Sequence, residues 1–222
     1  MEDLLLYHGS NFIITGLNPS YDNRGNDYGR GFYLTDSEPV AKEFACSDGK
    51  NGYVTSFSLN KKGLKILDLT KKPYNPLNHL ALLLYFRPFP MHSQRDYLVK
   101  SFILQRFMPD IKGYDIILGF RTDDSNFSLM KHFFYGDISY EALKKALKKD
   151  KNNRQYVLKS QKAFSAVKTL RYFESDRTEN YPKKFARDAA LKASIEKLCK
   201  ENEGNTINDI IIGNWRCDDE RL

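Results

Sequence analysis

The chain has 222 residues, with 15 phenylalanines, 14 tyrosines and a formal net charge of +7. Such a length buries a full core, and its apolar share excludes a disordered chain, so one domain with an extension is expected. No apolar run approaches the length of a membrane span, and Met1–Leu6 is too short and too acidic for a secretion signal, which makes the cytoplasm the expected compartment.

In chain order, Leu4–Tyr7 is a short apolar run ending in His8-Gly9-Ser10 and reads as a buried strand delivering residues to a site. Asn18-Pro19 and Asn23–Gly31 form a turn-rich loop, and Phe32–Thr35 a brief strand. Ser37 is the expected N-cap of a helix to about Cys46, with Glu38 and Pro39 in its first turn. Tyr53–Leu59 and Leu64–Leu69 alternate like strands around a Lys-Lys-Gly turn. Pro76–Phe86 and Arg95–Met108 have helical apolar spacing, and Tyr114–Phe120 reads as a strong buried strand. Thr122-Asp123-Asp124-Ser125 reads as a capped turn. Ser139 caps a helix through Lys149, Arg154–Lys159 is a strand, Ser160 caps a short helix and Leu170–Phe173 is a last strand. From Glu174 a polar linker leads to an amphipathic helix over Pro182–Lys200 and a short apolar run at Ile207–Ile212. Many short strands with few helices predict an α+β fold, with a domain over residues 1–173 and a helical C-terminal extension over 174–222 packed on it.

Cys46, Cys199 and Cys217 are widely spaced and form no Cys-x-x-Cys pair, so neither zinc nor a disulfide framework is signalled. The histidines His8, His79, His92 and His132 lack metal-ligand spacing, and no metal is expected. Lys144, Lys145, Lys148, Lys149 and Lys151 read first as a solvated helix face; an anionic partner, nucleic acid or acidic protein, is the sharper reading.

Two segments carry the chemistry. A strand end turning at Gly9 exposes backbone N–H and C=O groups, which complement a carboxamide, and His8 is placed to bond a ribose hydroxyl. In Asp27-Tyr28-Gly29-Arg30-Gly31-Phe32-Tyr33-Leu34-Thr35, the glycines Gly29 and Gly31 permit close approach of a ligand and Tyr33 offers an aromatic face. Taken singly, the first segment is more often a structural histidine, and the second reads better as a glycine turn before a core tyrosine.

In this order the segments resemble the NAD-binding signature of the ADP-ribosyltransferase-like superfamily, including the poly(ADP-ribose) polymerase catalytic domain. The likeness is closer to a bacterial domain-of-unknown-function group of that superfamily, through Asp115-Ile116-Ile117-Leu118-Gly119, Tyr135-Gly136-Asp137-Ile138-Ser139 and Gln155-Tyr156-Val157. It spans roughly residues 4–173. The resemblance implies two small abutting β-sheets with flanking helices and NAD, as substrate, in the cleft between them.

It also implies roles. His8 holds the ribose, the Gly9 backbone reads the carboxamide with the Ser10 hydroxyl beside it, and Gly31 and Tyr33 border the nicotinamide. Phe44 stands where a stacking tyrosine is found; its phenyl ring can stack but brings no hydroxyl for a hydrogen bond. At the third motif position, where transferring members place a glutamate, the chain has Gln155, which can bond a hydroxyl but brings no charge to an oxocarbenium ion. Asp124 is the candidate carboxylate in its stead; Glu141 and Glu174 are weaker ones. Should Asp124 point away from the cleft, a gain in NAD cleavage on Gln155→Glu would mark descent from a glutamate-based ancestor.

The function so implied is mono-ADP-ribosylation of a protein or nucleic-acid acceptor, and compact bacterial members of this kind are often toxins of toxin–antitoxin or phage-defence systems, with an antitoxin as partner. The Asn23–Arg30 loop is expected to help choose the acceptor. Three alternatives stand beside it: an inactive NAD-fold interaction module, an NAD glycohydrolase, and phosphate transfer from RNA. The last would want clustered arginine and histidine, which the sequence does not display.

Overall fold

The computed structural model describes residues 3–17, 25–47, 49–149, 154–200 and 203–222. Each of the seven expected strands is present, and together with the helices they make an α+β fold with two small sheets. β1 (Leu4–Ser10), β3 (Gly52–Leu59) and β7 (Val167–Ser175) form an antiparallel sheet in the order β1-β3-β7. The second sheet has the order β2-β6-β5-β4, built from β2 (Phe32–Leu34), β6 (Arg154–Leu158), β5 (Ile116–Phe120) and β4 (Ile66–Asp68). Its β4–β5 pair is parallel and the others antiparallel. The sheets meet at Tyr7 and Thr35, which exchange two backbone hydrogen bonds of 2.8 and 2.9 Å.

Strand alternation sorts the side chains. Leu6 of β1, Phe32 and Leu34 of β2, Phe57 of β3 and Leu158 of β6 build one core. On the opposite face of the second sheet, Ile117 and Val157 pack with Tyr28 and Leu82. A third core is helical. It holds α2 (Pro76–Phe86), α3 (Gln94–Phe107), α4 (Asp124–Tyr135) and α5 (Tyr140–Lys149). In α2 every residue from Leu77 to Leu84 is buried, so this helix is the centre of the core and not a surface element.

Several sequence expectations hold at their caps. Ser139 accepts from Ala142 N–H at 3.2 Å and Ser160 from Ala163 N–H at 3.1 Å, the latter starting α6 (Gln161–Ser165). Ser37 sits at the N-cap of α1 (Glu38–Ala45) but makes no side-chain capping bond.

Two segments differ from their expectation. The supposed turn at Thr122–Ser125 opens a full helix, α4, because the Asp123 carboxylate accepts from Asn126 N–H at 3.0 Å and Leu129, Met130, Phe133 and Phe134 give it a buried stripe. The polar stretch after Glu174 is not a linker: β7 runs to Ser175, and Asp176 caps α7 (Arg177–Lys200) by accepting from Thr178 N–H at 2.7 Å. Pro182 therefore lies inside that helix and not at its start. The final apolar run is α8 (Ile207–Ile212). With Ile195, Ile207, Ile210 and Trp215 in the helical core, the C-terminal segment is part of the packing.

Among the described residues, no helix is long and apolar enough to cross a membrane and no group of three His, Cys, Asp or Glu could hold a metal. The three cysteines are free thiols. Asn18, Pro19, Asn23 and Lys151, to which the sequence pattern gives loop or charge roles, lie outside the described residues.

Candidate functional site

A cleft of about 590 Å³ lies where the end of β1 passes β2 and α1. His8, Gly9, Ser10, Gly31, Tyr33, Phe44 and Gln155 all line it. The two sequence segments and the third motif position thus share one concavity. Asp124 does not join them: it is exposed in the first turn of α4, outside the lining residues.

His8 follows Leu6 on the inner face of β1 and stacks on Phe32, ring centroids 4.6 Å apart. Its Nδ1 is 2.8 Å from the Tyr33 carbonyl oxygen. A carbonyl can only accept, so Nδ1 carries the proton, and burial, which lowers the imidazole pKa, keeps the ring neutral with Nε2 as an acceptor. Gly9, one residue on, faces α1. A Cβ there would collide with the Ala41 carbonyl oxygen and stand 2.8 Å from the Ala45 nitrogen. The glycine therefore lets strand and helix touch backbone to backbone at the cleft wall. The Ser10 hydroxyl donates to the Phe12 carbonyl.

Tyr33 lines the cleft, with its hydroxyl turned to its own loop. Its hydroxyl donates to the Gly29 carbonyl at 2.6 Å and accepts from Tyr28 N–H at 3.2 Å, so the phenol braces its own loop and burial raises its pKa. The same loop is held from the end of β6 by Lys159, whose ammonium donates to the Tyr28 carbonyl at 2.8 Å and also to the Arg30 carbonyl. Phe44 is half exposed on α1 and carries the Arg121 guanidinium 4.2 Å above its ring, with the Lys184 ammonium of α7 at 5.5 Å. Arg187 of α7 pairs with Glu43 of α1 and lies 3.5 Å from Asp123, tying the C-terminal helix to the cleft rim.

Sequence reasoning missed the most heavily bonded group in the cleft. Asp27 is 6% exposed, and its Oδ2 accepts from Thr122 N–H at 2.7 Å and from Gln155 Nε2 at 2.9 Å. Its Oδ1 pairs with Arg87 Nη1 at 3.1 Å. Gln155 is itself buried and also donates from Nε2 to the Phe120 carbonyl at 3.1 Å. Desolvation raises the Asp27 pKa in spite of these donors. Asp27 opens the glycine segment, but its partners lie far along the chain, which leaves no local signal. The fold also brings Arg87 and Arg121 to the cleft that holds His8, a grouping the sequence does not display; Asp27 and Asp123 stand against their charges.

Behind this wall, Tyr28 lies against Gly119, where a Cβ would collide with the phenol, and its hydroxyl donates to the Phe120 carbonyl at 2.8 Å. His79 of α2 is 2.7 Å from the Thr122 hydroxyl, and burial pushes its pKa down to about 4. Below pH 6.5 the unfolded chain takes a proton that folded His79 refuses, so stability is lost as pH falls from 6.5 towards 4, up to about 3 kcal/mol. Asp27 works in the opposite sense: its raised pKa favours the fold at acid pH and that contribution is lost as pH rises through the folded value. The expected outcome is that His79→Gln flattens the acid side of a plot of melting temperature against pH; an unchanged slope would remove His79 as its source.

No curated protein and no solved structure matches the chain. A family model does, over residues 4–169, a span from β1 into β7 that takes in every residue of the cleft described above except those that α7 brings to its rim. The chain therefore belongs to the family described as Protein of unknown function (DUF3990).

Proposed function

We propose that this protein is an NAD-dependent mono-ADP-ribosyltransferase that modifies a macromolecule, with the two sheets arranged as in the ADP-ribosyltransferase-like superfamily. The observation that carries this reading is the convergence of His8, Gly9, Gly31, Tyr33, Phe44 and Gln155, from separate stretches of the chain, on one cleft. In it, His8 Nε2 accepts from a ribose hydroxyl, the Gly9 backbone reads the carboxamide and Tyr33 contributes its ring, its hydroxyl being committed to the loop. Phe44 closes over the ligand. Arg121 brings a guanidinium to the cleft wall that complements a diphosphate, which such groups recognise through paired N–H donors, whereas Arg87 is committed to Asp27 and the Thr122 carbonyl. The acceptor is a protein or nucleic acid reached past the loop at residues 25–30; the basic excess favours an anionic target or an acidic antitoxin covering the cleft, as in a toxin–antitoxin pair.

Calorimetry is expected to show binding of NAD and of nicotinamide, and labelled NAD incubated with cell extract is expected to mark protein or nucleic acid. Label found only as free ADP-ribose would replace the transferase with a glycohydrolase, and failure of both compounds to bind would overturn the enzyme reading. One observation favours a second reading, an NAD-binding module without turnover: the Gln155 amide nitrogen is spent on Asp27 and Phe120 and not on the cleft. Binding without nicotinamide release would select it.

A further inference from the structure

We propose that Asp27 supplies the carboxylate of this cleft and that Gln155 is its positioning residue. The inference rests on the transferase reading and deepens it. An NAD-cleaving site has to stabilise positive charge at C1″ as neutral nicotinamide leaves. A carboxylate held in a water-poor cleft by fixed donors does this with little reorganisation. Gln155 brings no charge, and its amide nitrogen points to Asp27 and Phe120. Asp124 is exposed and outside the lining. Asp27 meets the requirement: it lines the cleft, it is buried, and three donors fix its plane.

The acceptor count leaves room for a substrate. An ionised carboxylate offers about four acceptor positions. Oδ2 uses two, on Thr122 and Gln155, and Oδ1 one, on Arg87. One position on Oδ1 is left among the described residues. Arg87 holds Oδ1 from the protein side, its guanidinium also donating to the Thr122 carbonyl at 2.9 Å and stacking 4.0 Å over the Phe127 ring, so it offsets part of the Asp27 charge and leaves the remaining position on Oδ1 uncovered.

The step balances without a co-reactant beyond NAD and the acceptor. The bond between C1″ and the nicotinamide nitrogen breaks, its electron pair leaving with nicotinamide. The lone pair of the acceptor forms the new bond at C1″, and the acceptor's proton passes to the Asp27 carboxylate. The burial that raises the Asp27 pKa suits it to take that proton. The charged and titratable groups around it are Arg87 from the end of α2, Tyr28 and Tyr33 from the loop and β2, and His79 of α2 through Thr122.

Nicotinamide release and NAD affinity are to be measured side by side on the full chain and on Asp27→Asn and Gln155→Ala. Asp27→Asn is expected to lower kcat about 100-fold or more while NAD affinity stays at the wild-type value. Gln155→Ala removes a donor that favours the ionised form, so the acid limb of its kcat profile is expected to move to higher pH. A folded Asp27→Asn protein with the wild-type rate overturns the assignment. Should Asp27→Asn not fold, an acid limb unmoved in Gln155→Ala overturns it as well. Wild-type chain that neither binds NAD nor releases nicotinamide overturns the transferase reading itself, which separates the two failures.

Discussion

Replacing Gly9 with alanine is expected to destabilise the protein by about 3 kcal/mol, a fall in melting temperature of roughly 6–12 °C for a chain of this size. The new methyl group meets the backbone of Ala41 and Ala45 and not the movable end of a side chain. It can be accommodated only by separating β1 from α1, and the rims of the cleft ride on those two elements. Ligand binding should therefore fall with stability, unlike the effect of a His8 substitution, which leaves the backbone contact intact. Thermal melts with circular dichroism check the first part; a variant that melts with the wild type would show that the strand and helix have slack between them.

Gln155→Glu is expected to be the most damaging conservative change in the cleft. The substitution deletes the amide hydrogens given to Asp27 and to the Phe120 carbonyl, and sets a second carboxylate at the site of a 2.9 Å hydrogen bond to Asp27. Leaving buried charge without its partner costs about 3–5 kcal/mol. Two carboxyl groups so close share a proton, which raises their folded-state pKa above the unfolded value. The variant is then least impaired at acid pH, and its deficit relative to the parent widens as pH rises through the shared pKa. Melting curves of both proteins from acid to mildly alkaline pH test this. On the proposed function, the outcome expected for activity is opposite to the one a glutamate-based ancestry suggests: adding the charge at Gln155 disrupts Asp27, and NAD cleavage is expected to fall. A gain in cleavage would show that the site tolerates a carboxylate at this position.

These expectations separate what the sequence conveys from what it hides. The buried run Tyr114–Phe120, the caps at Ser139 and Ser160 and the alternation over Tyr53–Leu59 are local signals, and the strands and helices they announce are present. The segment at Thr122–Ser125 is equally local, yet the capping chemistry of Asp123 serves a turn and a helix start alike; the stripe from Leu129 to Phe134 decides for the helix. At Pro182 the opposite holds, since a proline that reads as a helix start lies inside a helix already capped by Asp176. Within the cleft, His8, Gly9 and Tyr33 stand out because they sit in compact motifs. Asp27 gains its meaning from Arg87, Thr122 and Gln155, residues 60 to 128 positions away, and no local pattern encodes that. Tyr33 is the reverse case: its motif is visible, but the engagement of its hydroxyl by Gly29 is a property of the folded loop.

The junction of the two sheets has a mechanical side. Tyr7 and Thr35 form, among the described residues, the one isolated bridge that links the three-stranded sheet to the four-stranded one. Two hydrogen bonds at a single residue pair resist sliding but offer little torque against twisting, so the angle between the sheets is set beside that pivot by the His8–Tyr33 hydrogen bond and the apolar contacts of Leu6, Phe32 and Phe57. His8 and Gly9 stand on one arm, Tyr33 and Gln155 on the other. A ligand seated across them loads both arms, and the energy it contributes can appear as rotation as well as affinity. The width of the gate through which an acceptor would approach is then a property of the pivot, whose residues Tyr7, Thr35 and Phe32 also line the cleft.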